Sequence, residues 1–308
     1  MKTDARIGSG SVPSALLRLT RWREHVPYVV PLTLIGGLIA CRATNTGPGL
    51  ELAAVLGANL LANCMAFMIN DIEDADDDAR DPKRALRNVV ASGGLSRGAA
   101  WIATIVCGLA SLALYAVASG SGLAVLACGT ATLLLAVAYS WRPIRLKAQP
   151  GVDVVSHALM LGGLLLLAAH LAQAPGEGTW VLPVTAVSLI SAYGQFHNQI
   201  RDFDADKAAG LRNTAISIGL RATWVLLYAC LAGAGLSIAA IVLTSIIPGW
   251  TFAVAAVAGS ASWYLRSRTR ADMRGAVPLD TTAEAQMPVL DGFNAMAFAW
   301  LAAVLMAH

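Results

Sequence analysis

An all-α, polytopic membrane fold follows from two features of the sequence, the scarcity of charge and the continuity of the apolar runs. Of 308 residues, 56% are hydrophobic and only 13% charged, and the mean hydropathy is +0.61. A water-soluble domain carries about 25% charged residues because its surface must face water. Here 22 basic and 19 acidic side chains cannot cover such a surface. The apolar runs extend over about 20 residues, the length an α-helix needs to cross the hydrocarbon core. They do not alternate as the strands of a membrane barrel do.

Nine spans are read between the polar breaks, at 26–42, 50–70, 98–119, 122–141, 152–173, 179–198, 222–246, 249–265 and 288–307. The short breaks at 43–49, 119–122, 174–178 and 247–250 are rich in Gly, Pro, Ser and Thr, which suits tight turns. The long breaks at 71–97, 142–151, 199–221 and 266–287 hold most of the charge. Of the 22 Lys and Arg residues only Arg42 lies on the short-loop side. The positive-inside rule therefore places the N-terminus and the long loops in the cytoplasm and His308 outside. The expected location is a bacterial inner membrane, with the whole chain, 1–308, as one integral-membrane domain. Residues 1–25 form its cytoplasmic or interfacial N-terminal segment. Within it, Ser14–Glu24 mixes Leu and Trp with Arg, as an interfacial helix or a plain basic flank does. The chain opens polar and basic, without the short apolar run of a cleavable signal peptide.

The net charge of +3 is too small to suggest nucleic acid as a partner, so the expected surroundings are membrane lipids. The five cysteines (41, 64, 107, 128 and 230) lie in or beside apolar segments with no Cys-x-x-Cys pair, and read as small buried hydrophobes.

Ten of the acidic residues fall into two clusters, 70–81 and 198–206, each directly after an apolar span. Asn70, Asp74 and Asp78 are spaced i, i+4, i+8, and Asn198, Asp202 and Asp206 repeat that spacing. On an α-helix each step of four turns a side chain by only about 40° and rises about 6 Å, so each triplet predicts a one-sided ladder. Stacked carboxylates repel unless cations lie between them. Two such ladders across a cavity form an oxygen-rich site for Mg²⁺, which keeps water or phosphate ligands beside a few carboxylates. Arg80, Lys83, Arg84, Arg87, Arg201, Lys207 and Arg212 then meet the remaining phosphate charge. The second motif lies 128 residues after the first, and the four crossings between them suggest that spans 1–4 and 5–8 are parallel repeats around a central cavity. The basic stretches 142–147 and 266–270 are a further matched pair.

These motifs carry a resemblance to the UbiA superfamily of intramembrane prenyltransferases. Asn70-Asp71-x-x-Asp74-x-x-x-Asp78 resembles its first aspartate-rich motif, and Arg87 with Ser92-Gly93 resembles the segment that follows. Tyr139-Ser140-x-x-Pro143-x-Arg145-x-Lys147 is similar to its Tyr-Ser loop. Asn198, Asp202, Asp206 and Gly210, with Thr214 and Gly219, resemble the second motif. Asn198 stands where many members have Asp, a form similar to the menaquinone-type branch.

The resemblance implies attack by a nucleophilic carbon of a lipophilic, aromatic or quinone-precursor acceptor on a polyprenyl diphosphate. It implies Mg²⁺ held by Asn70, Asp74, Asp78, Asn198, Asp202 and Asp206, with Asp71 in the motif but about 100° around the helix. Arg87, Arg145, Lys147, Arg201 and Lys207 are the expected phosphate contacts, and Asn63 a candidate lining residue two turns deeper. Tyr139 either shields an allylic cation or belongs to an interfacial belt. His157 and His197 read as packing residues, and Asp153 as a helix cap. A terpene cyclase or lycopene elongase is the alternative expectation, and a transporter with an acidic mouth a third.

Overall fold

The structure is a computed structural model that describes residues 11–120, 122–208, 210–269 and 286–308. The first ten residues and most of the 266–287 break lie outside the described residues. Fourteen α-helices follow one another there: α1 (Val12–Leu19), α2 (Trp22–Thr44), α3 (Leu50–Asp78), α4 (Pro82–Arg87), α5 (Arg97–Ser119), α6 (Ala124–Ser140), α7 (Val152–Ala158), α8 (Leu164–Gln173), α9 (Val181–Arg201), α10 (Phe203–Ala208), α11 (Thr214–Ile218), α12 (Leu220–Leu243), α13 (Gly249–Thr269) and α14 (Gln286–Ala307). A π-helical turn, Leu159–Gly163, joins α7 to α8 into one rod. The all-α expectation is met, and a long helix or rod occupies each of the nine predicted intervals. Six of them, α2, α3, α5, α7–α8, α12 and α14, are long and apolar enough to cross a membrane. Helix α6 is apolar but shorter. Helices α9 and α13 fall outside that set, since polar residues interrupt their apolar runs.

Local chemistry explains the boundaries. Helix α3 runs eight residues past the 50–70 span and stops after Asp77 and Asp78, which oppose the negative end of the helix dipole; Pro82 follows. Ser96 caps α5 by accepting from the Ala99 amide at 3.2 Å. Inside α2, Pro31 has no N–H to offer the carbonyl of Pro27. Asn294 of α14 donates to that carbonyl instead, at 2.8 Å, so one helix's defect docks another. The expected interfacial helix over 14–24 is broken. Helix α1 ends at Leu19, Arg21 adopts a left-handed φ of 50°, and Glu24 already belongs to α2. Leu19 and Ala15 are buried against Met68, Ile72 and Val89, while Val12 and Leu17 remain exposed.

Packing echoes the suspected duplication: α3 lies along α5, and α9 along α12. The echo is incomplete, because α6 packs on α3 whereas the principal partner of α13 is α14. Close approaches use small residues. A Cβ on Gly36 of α2 would stand 2.5 Å from the carbonyl oxygen of Leu166 in α8. Large apolar side chains such as Ile102, Leu109, Leu236 and Leu243 point outward, as expected of a surface solvated by lipid. The short breaks gather at one end, where Arg42 donates to the Ser245 carbonyl at 3.3 Å and the Gly49 amide donates to Gln173 at 2.8 Å.

Deep in the bundle the fully buried Asn59 joins four helices. Its amide nitrogen donates to the Thr33 hydroxyl at 2.8 Å and the Leu165 carbonyl at 3.0 Å, and its oxygen accepts from the Tyr115 hydroxyl at 2.5 Å. Each unsatisfied buried polar group costs about 1–3 kcal/mol. Asn59→Leu strands the Tyr115 hydroxyl and is expected to lower the thermal unfolding midpoint in detergent by several degrees; an unchanged midpoint would show that the hub is dispensable.

Candidate active site

The end of the bundle opposite the short breaks collects the acids. Asn70, Asp74 and Asp78 lie on uninterrupted helix α3, as the first ladder requires. The second ladder is not one helix. Helix α9 ends at Arg201, and Asp202 turns to φ −91°, ψ 5° before α10 begins. The spacing survives because the Asp202 amide still donates to the Asn198 carbonyl at 2.9 Å, and the Asp206 amide to the Asp202 carbonyl at 2.8 Å.

Cations fill the first ladder. The Lys147 ammonium lies 3.0 Å from Asn70 Oδ1 and 2.5 Å from Asp74 Oδ2, with the Arg145 guanidinium 3.6 Å from Asp74. Ser140 adds a hydrogen bond to Asn70 Oδ1 at 3.2 Å. In the second ladder the Arg201 guanidinium donates to both carboxylate oxygens of the adjacent Asp202, at 3.0 and 2.6 Å. Lys147 and Arg84 lie within electrostatic range of both Asp78 and Asp206, so the two ladders face one cationic centre. Burial, and next the Asp202 charge, push the Asp206 carboxyl up to about 6, against the pull of Arg84, Lys147 and Arg201. An added cation would draw it back down.

Among the described residues no three acidic, His or Cys side chains close on a single ion by themselves. The fit to Mg²⁺ rests on the donor chemistry. The ladders offer hard oxygen donors, an ammonium already stands between two of them, and the centre is short of anionic ligands. Arg145 Nε and Arg201 Nη1 are buried without hydrogen-bond partners, as donors awaiting an anion would be. A metal-bound diphosphate supplies both the cation and the acceptors.

Other expected residues have different immediate partners. Arg87 is paired with Glu24 through both its Nε, at 3.2 Å, and Nη2, and Glu24 is also gripped by Arg21. Arg21 reaches the buried Asp71 at 3.2 Å. Sequence reading passed over both Arg21 and Glu24, since neither belongs to a spaced motif. Lys207 is exposed on α10. Tyr139 is held from below by the Gln195 amide, which donates to its hydroxyl at 2.9 Å. Asn63 accepts from the Tyr28 hydroxyl at 2.8 Å and donates to the Asn59 carbonyl. It also stands beside a crevice too narrow for water among Ala62, Ala66, Thr132, Ala136, Met160 and Leu161. His157 hydrogen-bonds Ser191 at 3.1 Å, a packing contact between α7 and α9. The second basic stretch does not join the site: Arg266 pairs with Asp291 of α14 at 3.0 Å, and Arg270 lies outside the described residues.

Asp153 does more than cap its own helix. Completely buried, it accepts from the Thr214 amide at 2.7 Å, the Thr214 hydroxyl and the Gln199 amide at 2.7 Å. It thereby joins the starts of α7 and α11 to the end of α9. Asp153→Ala is expected to cost about 1–3 kcal/mol for each donor it strands, and to make the 202–219 segment more sensitive to limited proteolysis. Wild-type cleavage rates and melting would refute this bracing role.

A model of the UbiA prenyltransferase family matches residues 29–278. A lycopene elongase/hydratase of Haloferax volcanii is 30% identical over 256 residues, covering 78% of this chain and 78% of that protein. A digeranylgeranylglyceryl phosphate synthase of Methanoculleus marisnigri is 28% identical over 229 residues, 72% of this chain and 74% of that one. Among solved structures, a UbiA homologue from Archaeoglobus fulgidus bound to GPP and Mg²⁺ superposes with a TM-score of 0.66. The match is at 20% identity and covers 94% of this chain and 99% of that one.

Proposed function

The chain belongs to the UbiA prenyltransferase family, and from that premise we propose that it moves a polyprenyl group from its diphosphate to an uncharged lipophilic acceptor with the aid of Mg²⁺. The observation that carries this reading is the cationic centre between two oxygen ladders, with buried guanidinium donors left over. The family assignment displaces the transporter reading.

Asn70, Asp74, Asp78, Asn198, Asp202 and Asp206 would hold the metal. Bound there, Mg²⁺ supplies Lewis-acid stabilisation of the leaving diphosphate. Arg145, Lys147 and Arg201 sit beside the ladders, where fixed positive charge favours the oxygen that gains an electron pair as the carbon–oxygen bond breaks. Arg87 and Lys207 would add charge at the rim, Arg87 by way of its Glu24 pairing. The face of Tyr139, braced by Gln195, would stabilise the allylic cation. The acceptor's carbon donates the pair that forms the new bond, and a proton is lost to complete the exchange. Asp71 would brace Arg21 rather than bind metal. Depth below the site is apolar, and each buried CH₂ contributes about 0.8 kcal/mol, so a prenyl tail partitions there.

For the acceptor, an isoprenoid hydrocarbon is favoured over the aromatic acceptor suggested by the Asn198 form of the second motif. Lycopene elongase/hydratases are among the relatives, and the polar side chains Tyr28, Asn63, Tyr115 and Asn59 pair with one another and offer no charge to an acidic acceptor. The long loops and ladders would face the cytoplasm of a bacterial inner membrane, with nine crossings, as the basic residues predict.

Purified protein given Mg²⁺ and geranyl, farnesyl or geranylgeranyl diphosphate is expected to release diphosphate only with a lipophilic acceptor, lycopene more than an aromatic acid. Release without any acceptor would instead mark a cyclase. Chelation of the metal, or Asp74→Ala, is expected to lower the rate about 100-fold or more; activity indifferent to both would sink the assignment of the site.

A further inference from the structure

Each ladder ends in an aspartate whose carboxylate is held by a buried asparagine from the loop beyond it. Asn88 donates its Nδ2 to Asp78 Oδ2 at 2.9 Å, and Asn213 donates its Nδ2 to Asp206 Oδ2, also at 2.9 Å. Both asparagines are almost inaccessible, at 1% and 2% exposure. Each is fixed in turn by its own oxygen. Asn88 Oδ1 accepts from the Val90 and Ala91 amides at 3.0 and 3.1 Å, and Asn213 Oδ1 accepts from the Ile216 amide at 3.0 Å. Amide orientation is thereby set in both: the oxygen faces backbone donors, so the NH₂ must face the carboxylate. Equal bonds to equivalent acids, made from loops of different length, mark a device present in both halves.

We propose that Asn88 and Asn213 are positioning residues that restrict Asp78 and Asp206 to one metal-facing oxygen each, and so bias the site towards Mg²⁺ over larger divalent cations. The inference rests on the metal–diphosphate reading of the site. Mg²⁺ requires near-octahedral geometry at short distance, which single-oxygen carboxylate ligation satisfies, whereas Ca²⁺ takes six to eight ligands and accepts both oxygens of a carboxylate. An N–H held on Oδ2 leaves Oδ1 for the ion and opposes rotation of the carboxylate into a two-oxygen grip. Hydrogen-bonded partners behind a ligand set its orientation, and their loss lowers metal affinity about 10- to 100-fold.

The test uses full-length protein in detergent and geranyl thiolodiphosphate, whose carbon–sulfur bond resists ionisation. Its binding is measured by calorimetry in Mg²⁺ and in Ca²⁺ for the wild type, Asn88→Ser, Asn213→Ser and the double variant. Serine keeps a short acceptor for the loop amides but cannot reach the aspartate. Mg²⁺-supported affinity is expected to fall about 10-fold in each single variant, with Ca²⁺-supported affinity falling less, so that the preference narrows and narrows further in the double variant. Melting in metal-free buffer is expected to fall by a few degrees, because Asn88→Ser also strands the Asp71 carbonyl that Asn88 Nδ2 meets at 2.7 Å. The readout is therefore the ratio of Mg²⁺- to Ca²⁺-supported affinity, which a loss of stability alone does not move. An equal loss in both metals, an unaltered preference, or a wild type that does not discriminate would overturn the proposal. Asp78→Asn with Asp206→Asn separates the two levels of the argument. If that variant binds the analogue like wild type in Mg²⁺, the metal site itself is misassigned. If it loses binding while the serine variants keep the wild-type preference, only the role of the asparagines fails.

Discussion

Carboxylates stacked along one helix face at the edge of an apolar bundle must be neutralised, and the polar end of this protein is organised around that demand. Helix α3 carries Asn70, Asp74 and Asp78 beyond its apolar length, and side chains from distant segments answer. Lys147 and Arg145 come from the turn after α6, Arg142 from the same turn binds Asp77, and Arg97 of α5 meets Asp76 at 2.5 Å. Asn88 reaches back from the loop after α4. Exposed pairs of this kind contribute little singly. Their effect here is placement, because loops with few apolar contacts are tied down by the charges they must meet.

The two halves meet a shared requirement with different chemistry. One residue beyond each ladder's first asparagine stands a side chain at 4% exposure, Asp71 in the first half and Gln199 in the second. Both turn away from the ladder, towards the start of the half's first helix. Asp71 reaches Arg21, which grips Glu24 at the start of α2. Gln199 reaches Asp153 at the start of α7, and Asp153 reaches Thr214 in the loop beyond. In the first half the loop beyond is reached through Arg87 on Glu24. A brace joining helix start, motif end and following loop thus exists twice, ionic in one copy and built around a single carboxylate in the other. The ionic copy lies closer to water, with Glu24 at 18% side-chain exposure, where charge costs less. Asp153, at 0%, is surrounded by donors, as a buried carboxylate must be.

What the sequence made visible follows from periodicity. The i, i+4, i+8 repeat is a helical pattern, so the first ladder was legible in the sequence; Arg145 and Lys147 were legible only through the family resemblance of the 139–147 loop, and as phosphate contacts rather than as the ladder's cations. The break at Asp202 was not, because local spacing says nothing of where a helix ends when the residues are all polar. Asn88 and Asn213 were hidden for a related reason. They stand 10 and 7 residues beyond the acids they hold, so no shared spacing flags them. Arg87 was legible as a phosphate contact from its charge and from the family resemblance, while its pairing with Glu24 depends on where the start of α2 packs. The interval of each long helix was legible from hydropathy. How many of them cross the bilayer is less so for α9 and α13, whose polar residues depress the apolar signal: in α9 Gln195 and Gln199 serve the interior of the bundle, whereas in α13 Thr251 is the only buried residue.

The separation of charge from neutral polarity along the bundle axis bears on where a reaction can occur. Below the ladders several polar side chains satisfy one another without charge: Tyr139 with Gln195, His157 with Ser191, Tyr28 with Asn63, Tyr115 with Asn59. An allylic cation formed at the ladders would therefore have diphosphate and metal on one side, and on the other the Tyr139 ring, neutral dipoles and the buried Asp153 carboxylate, which acts on Tyr139 electrostatically. On the proposed function, such a boundary would hold water and anionic nucleophiles on the leaving-group side and favour entry of the acceptor from the apolar side. A substrate with no charge of its own incurs no desolvation cost in arriving by that route, whereas a carboxylated one would surrender its hydration to a lining that offers no cation in return. On the proposed function, the same dipoles that hold the bundle together would favour an acceptor without charge.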